Sequence, residues 1–459
     1  MKRARNICIR ALCAIFVGVV LGCSGSGGES GDEYEGGEEF EINNSLNKGN
    51  AERILGKDYL GRETVEIPDG ITSIGSGVFT GSDIKMDRLI IPASVSKIES
   101  GAFNARGWTD GSDRIKEKDR FDLYYLGTVA QWCEIEFTTR IVSYYGNNGL
   151  VEEERRGGWP LENARHFYTY DEENTKLFYY KDDYDEEYEY MRLVIPSDVK
   201  RINDYAFYRA SCDMSKIVIE KGVQSIGKSA FEYTDLRYVI IPGSVKTISE
   251  DAFYGSSLQY VEIGDGVESI GKRAFSSCWL DDMDCWDIEY DKIVAVDAIR
   301  IPGSVKSIGE SAFSNQWTAA GRKGWNSLGK LVLEEGVETI EARAFSESGV
   351  KSVVFPSTLI SIGKQAFYGC FYTGLGDYIQ PGDEIIIPEG VKLIGESAFE
   401  KCKSLSTITL PYSLETIGYH AFYDCVSLKK VIPEGYGGNY IINRLKTGNL
   451  KLYNGVMIN

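Results

Sequence analysis

One short block of residues recurs eleven times along the chain and constrains its fold more than any other feature. The block has the pattern apolar-x3-[V/I/L]-x2-I-x3-[A/V]-F, and no insertion or deletion interrupts it in any copy. Constant spacing among otherwise varying residues is expected when every copy points the same side chains into one continuous core, so the copies should stack. The invariant isoleucines, each followed five residues later by a phenylalanine, are Ile74, Ile98, Ile202, Ile226, Ile248, Ile270, Ile308, Ile340, Ile362, Ile394 and Ile417; the phenylalanines are Phe79, Phe103, Phe207, Phe231, Phe253, Phe275, Phe313, Phe345, Phe367, Phe399 and Phe422.

A strand is predicted just upstream of each block. The pattern there is L-x-x-V-x-I-P, as in Leu236–Pro242, and its period of two is typical of an extended strand. Eight of the eleven copies carry a proline that ends the strand, because proline has no N–H to donate to a ladder. Copies follow one another at 22 to 24 residues where nothing is inserted. These features predict a mainly β solenoid of parallel strands, with a short helical turn at each Ala-Phe pair.

The motif LxxVxIPxxVxxIGxxAFxxCxxL resembles the BspA-like leucine-rich repeat family of bacterial surface proteins, over residues 60 to 432. Residues 123–137 (LYYLGTVAQWCEIEF) and 159–168 (WPLENARHFY) are similar to a variant module of that family, here with Trp159 in place of the usual asparagine. We therefore expect one leucine-rich repeat solenoid over residues 51–432, with an irregular repeat and an insertion at 104–189. The resemblance implies a surface protein linked to adhesion to host extracellular-matrix proteins and to other cells.

The N-terminus has the pattern of an export signal rather than of a folded element. Basic residues precede the apolar run Ala11–Gly22, which is too short for a permanent membrane span. The run ends in Val20-Leu21-Gly22-Cys23, which resembles the bacterial lipobox. We predict that residues 1–22 are a lipoprotein signal peptide and that lipidated Cys23 becomes the N-terminus of an exported, cell-surface or outer-membrane lipoprotein. Such a protein contacts the membrane through its lipid anchor only; an ordinary secretory peptide is the alternative.

The two ends of the mature chain depart from the repeat. Residues 23–50 are rich in glycine, serine and acidic side chains, a composition that buries too little apolar area to order itself, so a flexible tether is predicted. Residues 433–459 are predicted to be a C-terminal cap that covers the open edge of the last strand.

Charge and composition exclude several functions. The chain carries 50 Lys and Arg against 68 Asp and Glu, a formal net charge of -18, which argues against nucleic acid as a partner. It has two histidines, His166 and His420, and neither neighbours a serine or cysteine in a recognisable catalytic motif. The HExxH motif and a phosphate-binding glycine loop are both lacking. We predict a protein that is not an enzyme and needs no cofactor.

The cysteines favour a structural role. Seven remain beyond the leader besides Cys23, an odd number that cannot form a complete disulfide set. A Cys278–Cys285 bridge and a calcium site in the acidic insert at 281–291 stay open as alternatives. Four cysteines lie three residues after a repeat phenylalanine and are predicted to be small buried groups rather than zinc or redox ligands: Cys278, Cys370, Cys402 and Cys425.

The length of the copies varies at one place only, between the repeat phenylalanine and the next strand. Inserts follow Phe103, Phe275, Phe313 and Phe367, so they should emerge along one edge of the solenoid as recognition loops. Alternatively, their aromatic rings cover an exposed edge of the core. The rings are those of Trp108, Trp279, Trp286, Trp317, Trp325, Phe371 and Tyr372.

A ligand-binding row is predicted on the outward, concave face of the sheet. One outward position on four successive strands carries Arg192, Lys216, Tyr238 and Tyr260, which would form a track about 15 Å long. Tyrosines stack on sugars or peptide side chains, while arginine and lysine pair with carboxylate or sulfate. A chance run is the alternative, because tyrosine is common in strands.

We predict a non-enzymatic surface protein that binds an extracellular protein. A glycan-binding lipoprotein of a nutrient-uptake system is the second hypothesis, and a hydrolase within residues 138–190 is the least supported.

Overall fold

Each regular copy of the repeated block contributes two short strands to the structure. The structure is a computed structural model that describes residues 44–80, 85–103, 120–146, 149–170, 177–179, 192–210, 216–258, 260–278, 298–315, 328–371, 383–433 and 457–458. The helices are α1 (Ala51–Leu55) and α2 (Val129–Cys133), with 3-10 turns at Tyr59–Gly61 and Pro160–Asn163. The strands are, in chain order, β1 (Ser45–Leu46), β2 (Thr64–Glu66), β3 (Ser73–Ile74), β4 (Arg88–Ile91), β5 (Lys97–Glu99), β6 (Phe121–Thr128), β7 (Glu136–Thr138), β8 (Arg140–Gly146), β9 (Gly149–Arg155), β10 (Ala164–Tyr170), β11 (Leu177–Tyr179), β12 (Arg192–Ile195), β13 (Arg201–Ile202), β14 (Lys216–Ile219), β15 (Ser225–Ile226), β16 (Tyr238–Ile241), β17 (Thr247–Ile248), β18 (Tyr260–Ile263), β19 (Ser269–Ile270), β20 (Ala298–Ile301), β21 (Ser307–Ile308), β22 (Gly329–Leu333), β23 (Thr339–Ile340), β24 (Val350–Val354), β25 (Ser361–Ile362), β26 (Asp383–Ile386), β27 (Leu393–Ile394), β28 (Leu405–Leu410), β29 (Thr416–Ile417), β30 (Lys430–Pro433) and β31 (Met457–Ile458).

The strands form two parallel ladders. The first ladder holds the L-x-x-V-x-I strands in four sheets of order β11-β10-β6-β4-β2, β12-β14-β16-β18, β20-β22-β24 and β26-β28-β30-β31. The second holds the short strands that end at the repeat isoleucine, in the sheets β1-β3-β5-β7 and β13-β15-β17-β19-β21-β23-β25-β27-β29. Apart from the antiparallel pair β10–β11, every pairing in the two ladders is parallel. The prediction of a mainly β, parallel repeat solenoid is confirmed.

The repeated isoleucine and phenylalanine side chains are buried, as the constant spacing predicts. Every isoleucine and every phenylalanine of the eleven blocks belongs to one hydrophobic core. Nine phenylalanine rings, from Phe207 to Phe422, stack in sequence with adjacent centroids 5.0 to 5.7 Å apart. Each ring therefore packs on the same residue of the copies before and after it, which explains why the spacing tolerates no insertion.

The Ala-Phe element, expected as a short helical turn, is a turn with two residues in the left-handed region. Ser229 and Tyr233 flank Phe231 with φ of 53° and 56°, and the residues at the same two positions of neighbouring copies behave alike. In this conformation alternate N–H groups point toward the next copy: Ser229 donates to the Glu250 carbonyl at 3.0 Å and Phe231 to the Ala252 carbonyl at 2.7 Å. These bonds form a third ladder along the solenoid and offset the strain of non-glycine residues at positive φ.

A hydroxyl side chain joins successive copies after the first strand. Thr358 accepts the N–H of Gly336 at 2.8 Å and donates to the Val337 carbonyl at 2.9 Å, both in the preceding copy. Ser413 makes the same two bonds to Gly390 and Val391. The serine or threonine two residues beyond the strand proline is thus a connector between copies.

The irregular module contributes strands to both ladders. β6 pairs with β4 and with β10 in the first ladder, and β7 pairs with β5 in the second. Helix α2 lies between them and begins with a capping box, in which Gln131 N–H donates to Thr128 Oγ1 at 3.3 Å and Thr128 N–H to Gln131 Oε1 at 2.9 Å. β8 and β9 form an antiparallel hairpin inserted between β7 and β10.

The folded body begins before the boundary expected at residue 51. Ser45–Leu46 pairs with β3 in the second ladder, and Leu46 is fully buried. Residues 44–50 therefore belong to the solenoid and not to a tether, because they supply the first strand of a ladder. The signal peptide, Cys23 and the rest of the predicted tether lie outside the described residues. At the other end, β31 pairs with the edge of β30. Within the described part of the chain, no helix has the length and apolar character needed to cross a membrane.

Candidate functional site

Strand register brings the four predicted ligand-binding residues into one row. In the sheet β12-β14-β16-β18, Arg192 pairs with Lys216, Lys216 with Tyr238, and Tyr238 with Tyr260. The next residue of each strand points inward; Leu193, Ile217 and Val239 are buried. The positions of Arg192, Lys216, Tyr238 and Tyr260 therefore share one place in the strand register, which alternates with these buried residues. We call them the cationic-aromatic row.

The two tyrosines of this row form a partly exposed aromatic pair. The ring centroids of Tyr238 and Tyr260 lie 5.8 Å apart with an interplanar angle of 25°. The Tyr260 hydroxyl donates to Glu262 Oε2 at 3.2 Å. Burial raises the pKa of Tyr260, and the negative charge of Glu262 raises it further, so the phenol stays a neutral hydrogen-bond donor. The pair offers apolar ring surface beside a fixed carboxylate.

A shallow depression of about 570 Å³ adjoins the row at the carboxyl ends of the same strands. Ile240, Glu262, Glu220 and Lys221 are among its lining residues. Ile240 is 51% exposed, and Glu220 is held in place because its carboxylate accepts the N–H of Ser197 at 3.0 Å. The site thus combines aromatic, aliphatic and charged groups of both signs within one face of the sheet.

The outward face of the sheet β11-β10-β6-β4-β2 carries a second polar and aromatic cluster, which the sequence analysis missed. The rings of Tyr124 and Tyr168 stack at 4.2 Å with an interplanar angle of 2°. Beside them, His166 Nδ1 lies 2.8 Å from Asp122 Oδ1, and Arg165 Nη1 lies 3.8 Å from the same oxygen. The signal was present in the alternation of FDLYYLG and ARHFYTY. Extending the outward positions into the irregular module would have found Asp122 and Tyr124 on β6, but not the placement of Arg165, which depends on a β-bulge.

The cysteines that share one repeat position are buried or nearly so, as predicted. Within the part of the chain that the structure describes, no cluster of three histidine, cysteine or carboxylate side chains is arranged to hold a metal ion. Cys285 and the acidic insert at 281–291 lie outside that part. Four thiols donate to the carbonyl of the repeat phenylalanine in the preceding copy, at 3.0 to 3.3 Å: Cys278, Cys370, Cys402 and Cys425.

Of the seven aromatic residues in the predicted recognition loops, the structure describes Phe371. For Phe371 the alternative holds, in which the ring covers the core. Its side chain is 1% exposed and packs against Phe367 and Phe399, with centroids 6.1 and 6.4 Å apart. Phe371 extends the core at a place where the chain leaves the regular copy. The others lie outside the described residues: Trp108, Trp279, Trp286, Trp317, Trp325 and Tyr372.

The solved structures that this chain resembles are bacterial leucine-rich repeat proteins. A leucine rich cell surface protein from Faecalibacterium prausnitzii A2-165 is 20% identical, with a TM-score of 0.38 over 83% of this chain and 90% of that one. The pneumococcal vaccine antigen PcpA is 17% identical, with a TM-score of 0.43 over 87% and 90%. A leucine-rich repeat protein from Bacteroides ovatus ATCC 8483 is 24% identical, with a TM-score of 0.34 over 59% and 70%.

The family comparison covers more than half of the chain. No curated protein matches the sequence. A family model described as the BspA type leucine rich repeat region matches in six copies, over residues 58–109, 184–293, 323–375 and 379–437. The matched ranges include strands of both parallel ladders and all four residues of the cationic-aromatic row. The chain belongs to the BspA-type leucine-rich repeat family.

Proposed function

We propose that this chain is a non-enzymatic cell-surface binding protein that takes an extracellular protein ligand on the cationic-aromatic row. Membership of the BspA-type family supports a surface location and a binding role. The single observation that carries the site is the strand register that aligns Arg192, Lys216, Tyr238 and Tyr260. A matrix protein or a protein of another cell is the ligand class, so adhesion is the biological role.

The chemistry of the row suits a polypeptide ligand. Tyrosine rings give large contact areas with few rotatable bonds, which is why they are enriched at binding hot spots. The adjoining depression adds the exposed Ile240 and the charged Glu262 and Lys221, so apolar and charged side chains of a partner both find complements. Rigid strands, rather than loops, hold the row, which keeps the entropy lost on binding small.

Simultaneous substitution of the row tests the proposal. The purified chain should bind at least one member of a panel of immobilised extracellular-matrix proteins, and the variant Arg192→Ala/Lys216→Ala/Tyr238→Ala/Tyr260→Ala should bind at least about tenfold more weakly. The matched control changes to alanine four exposed residues of the same copies, each one residue before a strand of the second ladder: Lys200, Gln224, Lys246 and Glu268. Equal loss in both variants, or no loss in the first, would refute the site.

A glycan-binding lipoprotein is the second candidate function. The stacked Tyr238 and Tyr260 rings favour it, since aromatic platforms also accept the apolar faces of sugars. A glycan array distinguishes the two: hits on the array without binding to any matrix protein would replace the first proposal with the second.

The membrane anchor is proposed separately. We infer that Cys23 carries a lipid, because it closes an apolar leader with the lipobox pattern. Metabolic labelling with a fatty-acid analogue should mark the wild-type chain in a bacterial host that processes lipoproteins. The variant Cys23→Ser should not be labelled and should leave the membrane fraction. Unchanged labelling would contradict the assignment.

A further inference from the structure

On the outward face of the sheet β11-β10-β6-β4-β2, Ile90 on β4 lies between its neighbours in register, Glu66 on β2 and Tyr124 on β6. Arg88 lies two residues before Ile90 on the same strand and therefore on the same face. We call the group Glu66, Arg88, Ile90 and Tyr124 the β4 slot.

The stacking of the two tyrosines fixes the wall of this slot. Tyr124 and Tyr168 occupy paired positions on β6 and β10, and their rings are parallel at 4.2 Å. Since adjacent strands lie about 4.8 Å apart, the ring normals run from strand to strand. One face of the Tyr124 ring is covered by Tyr168, and the opposite face is directed toward β4. The Ile90 side chain is shorter than a tyrosine, so the face of the Tyr124 ring that is directed toward β4 extends above Ile90.

The arginine of the slot has no ion-pair partner among the residues that the structure describes. Arg88 is exposed, and it makes no side-chain hydrogen bond to those residues either. The nearest carboxylate in register is Asp122. That carboxylate is turned toward His166 and Arg165, which lie on β10 on its other side.

A β-bulge produces this arrangement. The pairing of β10 with β6 shifts between Ala164 and His166, so Arg165 is an extra residue in the strand. As a result Arg165 and His166, although adjacent, are both partly exposed, and both reach Asp122. Bulges that redirect side chains are over-represented next to functional sites. Here the bulge directs the carboxylate that pairs in register with Arg88 toward β10.

The geometry points to the β4 slot as a binding site for an acidic oligosaccharide. The apolar face of one pyranose ring stacks on Tyr124 above Ile90, and the carboxylate of a uronic acid pairs with Arg88. Glu66, exposed on the opposite wall, accepts hydrogen bonds from ring hydroxyls. An aromatic wall, a guanidinium and a carboxylate together match the three surfaces of such a sugar: its apolar face, its anionic group and its hydroxyls. The site is separate from the cationic-aromatic row.

The test uses calorimetric titration of the full chain with tetramers of galacturonic acid and of mannuronic acid, each beside its methyl ester. We expect at least one acid to bind, about tenfold or more tightly than its neutral ester, because a charge-assisted hydrogen bond is lost in the ester. Failure to bind either acid, or equal affinity for the acid and its ester, would overturn the proposal.

Two variants and a matched control locate the site. Arg88→Ala should remove the preference for the acid, because it removes the guanidinium that pairs with the uronic carboxylate. Ile90→Trp should fill the slot and abolish binding, whereas Ile386→Trp, at the same repeat position in the sheet β26-β28-β30-β31, should bind as the wild type does. Thermal unfolding of each variant checks that it folds. Wild-type affinity in Ile90→Trp would refute the slot, and the result is independent of the cationic-aromatic row, whose alanine variant should retain saccharide binding.

Discussion

The side chain three residues after the repeat phenylalanine is a small donor to a phenylalanine carbonyl. Cys370 donates its S–H to the Phe345 carbonyl of the preceding copy at 3.0 Å, and Ser348, at the same position one copy earlier, donates to that carbonyl within its own copy. Serine and cysteine interchange at this position because both are small and carry one donor. The thiols are therefore structural groups, and neither thiolate chemistry nor disulfide exchange follows from their repetition.

Reactivity of the buried thiols tests this role. Burial raises the pKa of Cys370 to about 11 and that of Cys278 to about 12, so the nucleophilic thiolate is scarce at neutral pH. We expect iodoacetamide at pH 8 to leave both residues unmodified in the folded protein and to modify them in 8 M urea, as read by peptide mass mapping. Rapid modification of Cys370 under native conditions would contradict the assignment.

Glu162 gives the stability of the fold a pH dependence. Its carboxylate is buried and accepts the N–H of Trp159 at 3.0 Å, and burial raises its pKa to about 7. The folded protein therefore keeps a proton that the unfolded chain loses above its ordinary pKa of 4.5. The resulting stabilisation is present in full below pH 4.5 and is lost as the pH rises through 7.

The variant Glu162→Gln should remove this dependence. Between pH 5 and pH 8, the unfolding free energy of the variant should rise relative to that of the wild type by about 1–3 kcal/mol, because the wild type alone must bury a charge. Urea unfolding at the two pH values measures the difference, with Glu415→Gln on the exposed surface as the control. A difference that stays constant with pH would exclude Glu162 as the source.

At the scale of the elements, copies are joined by side-chain connectors as well as by strand pairing. Thr358 bridges Gly336 N–H and the Val337 carbonyl of the preceding copy. Thr358→Val keeps the shape but removes both bonds, so we expect urea unfolding to show a loss of about 1–2 kcal/mol. Thr358→Ser retains the hydroxyl and should lose less than half as much. Equal losses in the two variants would mean that the methyl group, and not the hydroxyl, carries the effect.

The parts of the fold that sequence could predict are those set by periodic burial. The isoleucine and phenylalanine positions, the parallel strands and the solenoid follow from constant spacing, because only inward side chains must repeat. The left-handed turn was not predictable in this way: Ser229, Asp251 and Arg273 occupy the same positive-φ position and share no side-chain property. Its conformation is determined by hydrogen bonds from backbone N–H groups to the next copy, which leave no mark on side-chain identity.

Of the two candidate sites, one follows from periodic sequence positions and the other does not. The cationic-aromatic row follows from one outward position per regular copy, so it could be assembled from the sequence. The cluster around Asp122 and Tyr124 depends on a bulge at Arg165, which shifts the alternation by one residue. A shift of that kind exchanges the inward and outward faces, and its position is set by the partner strand rather than by the strand itself.

At the scale of the whole molecule, the two ladders differ in continuity. The first ladder breaks between β18 and β20 and between β24 and β26, where inserts enter, whereas the second runs unbroken through nine strands from β13 to β29. The ring stack from Phe207 to Phe422 follows the unbroken ladder. Each copy in this stretch is stabilised mainly by the copies on either side, so stability should behave as a sum of copy and interface terms.

This arrangement predicts that the position of a removed phenylalanine ring determines how many neighbouring copies exchange their amide hydrogens faster. Phe253 stacks on two rings, each at 5.1 Å, whereas Phe422 at the end of the series stacks on one phenylalanine, Phe399, among the described residues. Phe253→Ala should lower the unfolding free energy by ~3–5 kcal/mol, as expected for a fully buried ring. It should also speed hydrogen exchange of the second-ladder amides on both sides of β17.

Phe422→Ala should speed hydrogen exchange of the amides in β27 and β29. It should leave the exchange rates of the Ile226 and Ile248 amides unchanged, because an end copy can open while its neighbours stay paired. Hydrogen exchange measured by mass spectrometry separates these outcomes: a uniform increase along the ladder in Phe422→Ala would show that the solenoid opens as a single cooperative unit rather than from its end.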